Sequence, residues 1–333
     1  MPTKVRWGIL STANINKALL GPIRKAERSE LYAVASRDQG RAEAYAQREG
    51  IAHAYGSYEA MLADPNVDAV YISLPNSLHC EWTVKAAEAG KYVLCEKPLV
   101  VTVEEFDRVE AAAQANGVFV VEAFMYLHHP QTQQARRLIE EGRLGALQLV
   151  NSWFNFYLPP ERAENIRLSS ELTGGSLWDV GVYPNSAAVF MAQPQQPKRV
   201  WASQIVGESG VDVAMRAQIE FSGSAVGQIS SGFRTPFREG LFLVGDEGTL
   251  HLPEPWKPGL TGKESAMTLT GRNGKVETIV TPAVDPYLCE VQAMEASILD
   301  GAAPVVPLSL SRVFLRTALA IYASARSGEV VVV

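Results

Sequence analysis

Hydrophobic positions fall into two rhythms along this chain of 333 residues. From Lys4 to Val121, short apolar runs alternate with segments whose apolar residues recur every three or four positions. The runs cover 4–10, 30–37, 67–75, 92–97 and 118–123. Continuous apolar runs of this length predict strands covered on both faces. The segments between them predict helices over 14–26, 39–49, 58–62, 78–89 and 103–115. Gly50, Gly90 and Gly117 stand where helices stop, and Pro22 is the weak point of the first helix. Strands alternating with helices predict a parallel sheet wrapped on both sides.

The rhythm changes near residue 123. A helix over about 130–141 leads into a strand with alternating aromatics, QLVNSWFNFYL (148–158). After Gly174-Gly175 a helix is expected over 178–192. Strands follow over 198–206, 212–221, 225–233, 239–245, 248–252, 266–270 and 275–280, joined by the turns GESGVD, SGS, GDEG and RNG. Helices over 287–300 and 308–326 close the chain. Tight turns between successive strands predict a mostly antiparallel sheet. The fold class is therefore α/β. A doubly wound parallel sheet, the Rossmann arrangement, occupies 1–122. An α+β domain with a large open, mostly antiparallel sheet occupies 123–333 and is expected to bind substrate and to oligomerise. The length also favours two domains over one core.

Composition narrows the function. The chain has 30 Lys and Arg against 36 Asp and Glu, a formal net charge of −6, without runs of like charge. That argues against a nucleic-acid partner, which requires clustered cations. Cys80, Cys95 and Cys289 are widely spaced and odd in number, which fits a reducing compartment and not a disulfide framework. No zinc-ligand spacing is present, so no metal is expected. The longest apolar stretch, GVFVVEAFMYL (117–127), is short for a bilayer and contains Glu122. A strand beginning by Lys4 leaves no room for a signal peptide. A cytoplasmic protein without a membrane partner is expected.

The first strand ends in WGILSTANIN (7–16). A helix N-terminus at the C-terminal edge of a doubly wound sheet offers free N–H groups and partial positive charge to a pyrophosphate. Glycines usually permit that approach. Here Gly8 lies inside the strand, and Ser11, Thr12, Ala13, Asn14 and Ile15 form the turn. Ala13 adds only a methyl group, and the Ser11 and Thr12 hydroxyls are candidate phosphate donors. An ordinary strand–helix turn is the alternative. The second strand ends in Ser36-Arg37, with Arg41 one turn later, where an acid would select NAD. A hydroxyl with guanidinium groups suits a 2′-phosphate and favours NADP. Asp38 leaves NAD as the alternative.

Two segments bring reactive groups. CEKPL (95–99) ends a strand on the ligand edge, and Pro98 restricts the backbone of Lys97. Its ammonium could reach substrate and cofactor ribose, although a surface lysine would read the same way. In GGSLWDVGVYPN (174–185), Asp179 and Tyr183 are four apart and share a helix face. A phenol beside a cation has a lowered pKa and suits the base of an alcohol oxidation. A capping Asp and a core Tyr are the alternative.

Together these segments resemble the glucose–fructose oxidoreductase and inositol dehydrogenase family, Gfo/Idh/MocA. The matching stretches are GILSTANI (8–15), AVASRD (33–38), YISLPNSLH (71–79), AGKYVLCEKPL (89–99), EAFMY (122–126) and DVGVYPN (179–185). They are most similar to the NADP-dependent branch of dihydrodiol and D-xylose dehydrogenases. The resemblance implies Lys97 as the active-site lysine, followed by a cis peptide, and Tyr183 as the proton-transferring residue. It implies Asp179 as the group that orients substrate or tunes the Lys–Tyr pair. Leu74, Pro75, Asn76 and His79 would line the adenosine and nicotinamide-ribose path with Glu96 close by, and Arg167 would contact phosphate or substrate. The chain departs from the branch at Leu127-His128-His129, where an arginine commonly follows the aromatic residue. This removes a contact from position 127 and leaves structural roles to the two histidines.

The expected function is NADP-dependent hydride transfer with a sugar, polyol or cyclic diol. A nucleotide-sensing regulator and a sugar–sugar oxidoreductase that keeps its NADP are the rivals. The alternating apolar residues of 216–233 are expected to cover a second copy, giving a homodimer or higher homo-oligomer through the sheet.

Overall fold

The computed structural model describes residues 3–159, 161 and 164–333. The chain forms two compact units, Met1–His128 with Asp285–Ser311, and His129–Val284 with Arg312–Val333.

In the first unit the strands are β1 (Val5–Leu10), β2 (Ser29–Ala35), β3 (His53–Tyr55), β4 (Ala69–Ile72), β5 (Tyr92–Glu96) and β6 (Val120–Ala123). They form a sheet ordered β3-β2-β1-β4-β5-β6 with every pair parallel. The connections carry α1 (Asn16–Lys25), α2 (Gln39–Glu49), α3 (Tyr58–Leu62), α4 (Asn76–Glu88) and α5 (Val103–Asn116), and α6 (Met125–His128) follows β6. Val5, Trp7, Ile9 and Leu10 are fully buried, as a strand covered on both faces requires. Side-chain caps fix three helix starts: Asp38, Ser57 and Thr102 each accept from a main-chain N–H in the first turn. The strand order reverses between β1 and β4. The turns leaving those strands run to opposite faces, which opens a crevice at the C-terminal edge of the sheet.

A helix that follows the second sheet in the chain belongs to this first unit. It is α9 (Pro286–Asp300), which follows α7 (Pro130–Glu140) and α8 (Val182–Ala192) of the second unit. Glu295 on α9, 3% exposed, accepts from Ser29 Oγ at 2.7 Å and Arg28 N at 3.1 Å. Trp7 Nε1 in turn donates to Ser29 Oγ at 3.1 Å. A single boundary at 122/123 places α9 with the second domain, because chain order carries no sign of this return.

The second unit is built on a nine-stranded sheet. Its strands are β7 (Leu147–Tyr157), β8 (Pro197–Val206), β9 (Asp212–Phe221), β10 (Val226–Gly232), β11 (Arg234–Gly245), β12 (Gly248–Leu252), β13 (Ser265–Gly271), β14 (Val276–Thr281) and β15 (Val331–Val332). The order is β14-β13-β12-β11-β7-β10-β9-β8-β15. Among the described residues, β7 and β10 pair in parallel and the other neighbours are antiparallel. The helices are α7 (Pro130–Glu140), α8 (Val182–Ala192) and most of α10 (Leu308–Ser327). No described helix is long and apolar enough to cross a membrane.

Every residue of α8 is buried, and the helix lies on one face of the sheet. A Cβ on Gly227 would stand 3.3 Å from Ala188 Cβ on α8 and 3.4 Å from Ile219 Cβ on β9. This corrects the expectation for 216–233. Ala217, Ile219, Phe221 and Ile229 face inward, where α8 takes the apolar half of the alternation. The outward half is Arg216, Gln218 and Gln228, which are exposed. Exposed apolar surface on that outward face comes from Trp201 and Ile205, each 50% exposed, on the neighbouring β8.

Elements that escaped the sequence are short or lack periodicity. β3, α6 and β15 span two to four residues, too few for a period to register. β11 begins at Arg234, five residues before the expected start, because 234–238 are exposed and do not alternate.

Candidate functional site

The turn from β1 to α1 has a strained centre. Ser11 adopts φ +139°, a backbone that only glycine takes freely. Its side chain compensates. Ser11 Oγ accepts from Ala13 N at 3.1 Å and lies 2.8 Å from Ser73 Oγ, at the end of β4. Ser73 Oγ gives its own proton to Asn16 Oδ1 at 2.6 Å, so Ser11 is the donor to Ser73. Asn16 Nδ2 donates to Ser11 O at 2.9 Å. The Ser11 hydroxyl, expected to meet phosphate, is therefore consumed inside the turn. Donors remain on the main chain: the N–H groups of Thr12, Asn14 and Ile15 have no acceptor among the described residues. Asn16 and Ser73, which sequence reasoning passed over, hold this turn in shape. The one hint was a polar residue, Asn16, opening an apolar helix face.

Gly8 has a different task from the one expected. A Cβ there would lie 2.9 Å from Met61 Sδ and 3.1 Å from Val67 Cγ1. The glycine makes room for α3 beneath the sheet and does not border the turn.

At the end of β2, Ser36 is buried and its N–H bonds to Tyr55 O at 3.0 Å. Asp38 Oδ1 accepts from Arg41 N at 2.8 Å, so this carboxylate serves its own helix. Arg37 and Arg41 are exposed, and neither forms an ion pair among the described residues. Two unpaired guanidinium groups beside free turn amides fit a nucleotide with a phosphorylated ribose.

Leu74, Pro75 and Asn76 stand half-buried where β4 passes into α4. His79 does not share that exposure. Its Nδ1 lies 2.7 Å from Pro98 O and its Nε2 2.8 Å from Leu74 O, with the ring fully buried. Burial lowers its pKa, against the pull of the two carbonyls. Neutral, it donates to one of the two carbonyls; it sits behind the turns after β4 and β5 and offers no ring edge to a ligand.

Lys97 follows β5 and precedes Pro98 through a cis peptide bond. Glu96 accepts a hydrogen bond from the Tyr71 hydroxyl. Behind the turn, Glu122 Oε1 accepts from Leu99 N at 3.0 Å. Burial pushes the Glu122 carboxyl up to about 7, while the Leu99 amide, the Ser311 hydroxyl and the Lys97 ammonium pull it down. The two histidines of the LHH departure are structural. His129 Nδ1 accepts from Gln131 N at the start of α7, and burial lowers His128 to about 4.

In the second unit, α8 is entered through a π-helical turn, Leu177–Gly181. The expected helix over 178–192 thus begins in a wider register, so α-helical spacing does not describe the step from Asp179 to Tyr183. Gly181 permits the turn to sit on the sheet, since a Cβ there would stand 2.7 Å from Ser231 Oγ on β10. Arg167, expected at a phosphate or substrate, donates from Nε to Asp179 Oδ2 at 2.7 Å. Tyr183 is 7% exposed and lies edge-on to Phe154, with centroids 5.5 Å apart. Trp256 flanks it at 5.7 Å and stacks on Phe154 at 6.1 Å and 17°. Phe237 meets Phe154 at 6.1 Å. Trp256 and Phe237 gave no signal in the sequence, because each comes from a different segment. Trp153, the neighbour of Phe154, points to the opposite face, where its ring covers Gly240.

Residues 5–124 match the model of an oxidoreductase family with an NAD-binding Rossmann fold, and residues 132–251 match the GFO/IDH/MocA C-terminal domain. A D-xylose 1-dehydrogenase (NADP(+)) from Haloferax volcanii is 39% identical over 98% of each chain. The chain belongs to the GFO/IDH/MocA oxidoreductase family. Among solved structures, an aldose–aldose oxidoreductase from Caulobacter crescentus complexed with glycerol superposes with a TM-score of 0.90. It is 26% identical and covers 99% of this chain and 100% of its own. A 3-ketoreductase from Actinomadura kijaniata, in complex with NADP and TDP-benzene, gives 0.84 at 30% identity over 98% of both chains. The parallel first sheet, with five of its six strands, and the mostly antiparallel second sheet are those its sequence led us to expect.

The buried Glu122 carboxyl binds its proton more tightly in the folded chain than the ordinary value of 4.5 allows. Its stabilising contribution is complete below about pH 4.5 and is lost as pH rises to about 7. In Glu122→Gln, urea unfolding across that window will show a smaller fall in stability with rising pH than the wild type.

Proposed function

We propose that this chain is an NADP-dependent oxidoreductase acting on a hydroxyl-bearing carbon of a sugar, polyol or cyclic diol. The observation that carries the reading is its similarity, over 98% of both chains, to a D-xylose 1-dehydrogenase (NADP(+)). Two unpaired guanidinium groups at the end of β2 support the phosphorylated cofactor. When bound, NADP supplies the hydride acceptor in oxidation and the hydride donor in reduction.

The chain's own residues divide the remaining work. The main-chain amides of Thr12, Asn14 and Ile15 hold the pyrophosphate at the N-terminus of α1, where the small side chain of Ala13 permits its approach. Ser36, Arg37 and Arg41 surround the 2′-phosphate. Leu74, Pro75 and Asn76 line the path towards the ribose, with Glu96 and Lys97 at its end. Tyr183 takes the proton of the reacting hydroxyl in oxidation and returns it to the carbonyl in reduction. Lys97 supplies the positive charge that favours the phenolate. Asp179, held by Arg167, orients the substrate. Proton transfer of this kind contributes roughly 10²–10⁴-fold to the rate, and positioning supplies much of the rest.

The likeness to an aldose–aldose oxidoreductase favours a second reading, in which one sugar is oxidised and another reduced on cofactor that stays bound. Nicotinamide absorbance in the purified protein, without added NADP, separates the two.

The chain works as a homodimer in the cytoplasm. Trp201 and Ile205 on the outward face of the second sheet support the association. All three cysteines are free thiols, in keeping with a reducing compartment.

Lys97→Ala and Tyr183→Phe will each lower kcat by roughly 10²–10⁴-fold while NADP still binds in a fluorescence titration. Normal turnover in both variants removes the assignment. Arg37→Ala will narrow the preference for NADP over NAD by about 10-fold or more, read as the ratio of the two dissociation constants, because a charge-assisted bond is lost. Sedimentation will give twice the 36.2 kDa chain mass. The double variant Trp201→Glu, Ile205→Glu will sediment as a single chain.

A further inference from the structure

One carboxyl group in the second unit has no part in the reaction as described, yet it borders the aromatic cluster around Tyr183. Glu239 on β11 stands directly opposite Phe154 on β7, so the two side chains leave the same face of the sheet. Two residues earlier on β11, Phe237 lays its ring against Phe154. Phe154 touches both Tyr183 and Trp256. The Glu239 carboxyl therefore adjoins a set of four rings that includes the phenol assigned to proton transfer.

The state of this carboxyl is unusual. It is half-buried, and burial together with nearby Glu254 raises it to about 7, against the pull of the Trp256 amide and Lys257. The main-chain N–H of Trp256 donates to it. An ionised carboxylate accepts at about four lone-pair positions, so this amide uses only part of that capacity. As an anchor for the Trp256 segment alone, a glutamine carbonyl would accept the same bond without placing a charge against apolar rings. A carboxylate in that position costs desolvation, and a ligand rich in hydroxyl donors would offset the cost.

We propose that Glu239 is a specificity-determining residue whose carboxylate accepts hydroxyl groups of a polyhydroxylated substrate lying with its C–H face on Phe154 and Phe237. The arrangement selects aldoses and linear polyols over cyclic diols with few hydroxyls. Each added donor gains a charge-assisted bond at the carboxylate, whereas the rings serve any apolar face. This rests on the oxidoreductase reading for the reaction but on second-unit geometry alone for the contact.

The test uses the full chain with NADP, an aldopentose and trans-cyclohexane-1,2-diol, comparing the wild type with Glu239→Gln and Glu239→Ala. Glu239→Gln keeps an acceptor for the Trp256 amide, so it guards against loss of folding, which a thermal melt monitors. The expected result is an aldopentose KM raised about 10- to 100-fold with a much smaller change in kcat. The ratio of kcat/KM for aldopentose over diol should fall by a similar factor. Aldopentose binding, followed by tryptophan fluorescence without turnover, should weaken in parallel. An unchanged aldopentose KM and binding curve would overturn the proposal and leave Glu239 an anchor. Equal losses for both substrates would overturn it as well. If the wild type binds aldopentose, loses that binding in Glu239→Gln, and turns nothing over, the reaction assignment fails and the contact stands. If the wild type turns over normally and Glu239→Gln matches it, only the contact fails.

Discussion

Two hydroxyls and one amide side chain tie the ends of β1 and β4 together at the point where the strand order reverses. Ser11, Ser73 and Asn16 form a closed set of hydrogen bonds, each between 2.6 and 3.2 Å, around the turn that enters α1. A non-glycine residue at the Ser11 backbone angle costs about 1–3 kcal/mol. Each internal bond returns roughly 1 kcal/mol, so the network is of the right size to hold the strained turn. The consequence is directional. Side-chain donors are spent inward, and main-chain amides are left facing out at the N-terminus of a helix, where an anion is favoured. A glycine fingerprint reaches the same end by removing the steric cost; this chain offsets it.

The same economy of placement governs the turn after β5. His79 sits between the carbonyls of Leu74 and Pro98 and donates to one of them, and Glu122 accepts from the amide of Leu99. Neither side chain is exposed, yet both determine how the segment carrying Lys97 leaves the sheet. A fully buried imidazole and carboxyl are expensive unless bonded, and here each is bonded to backbone. Lys97 therefore projects from a turn whose main chain is fixed on both sides, as the positioning role proposed for it requires.

In the second unit a single helix divides the sheet into two chemistries. α8 and the π turn before it bury the apolar half of β9 and β10 and bring Tyr183 against Phe154 and Trp256. The opposite face is left polar at its centre, with Arg216, Gln218 and Gln228 outward. The aromatic cluster draws on β7, α8, β11 and the segment after β12. Its members are held by cross-strand pairing and ring packing, which contribute about 0.5–1.5 kcal/mol per aromatic pair beyond their buried area.

The sequence by itself determined the alternation of buried strands and helices, the parallel and mostly antiparallel sheets, and the segments that end at ligand-facing edges. Periodicity and helix stops are local, so they are legible one segment at a time. Tertiary structure decided what each side chain in those segments does. It turned the Ser11 hydroxyl inward, placed Gly8 under Met61, buried His79 behind the turns and gave Arg167 to Asp179. It also returned α9 to the first unit and brought Trp256, Phe237 and Glu239 beside Tyr183 and Phe154. A hydroxyl, an imidazole or a carboxylate bonds to whatever the fold brings within about 3 Å, and such a partner can stand far along the chain, as Ser73 does for Ser11 and Glu295 for Ser29.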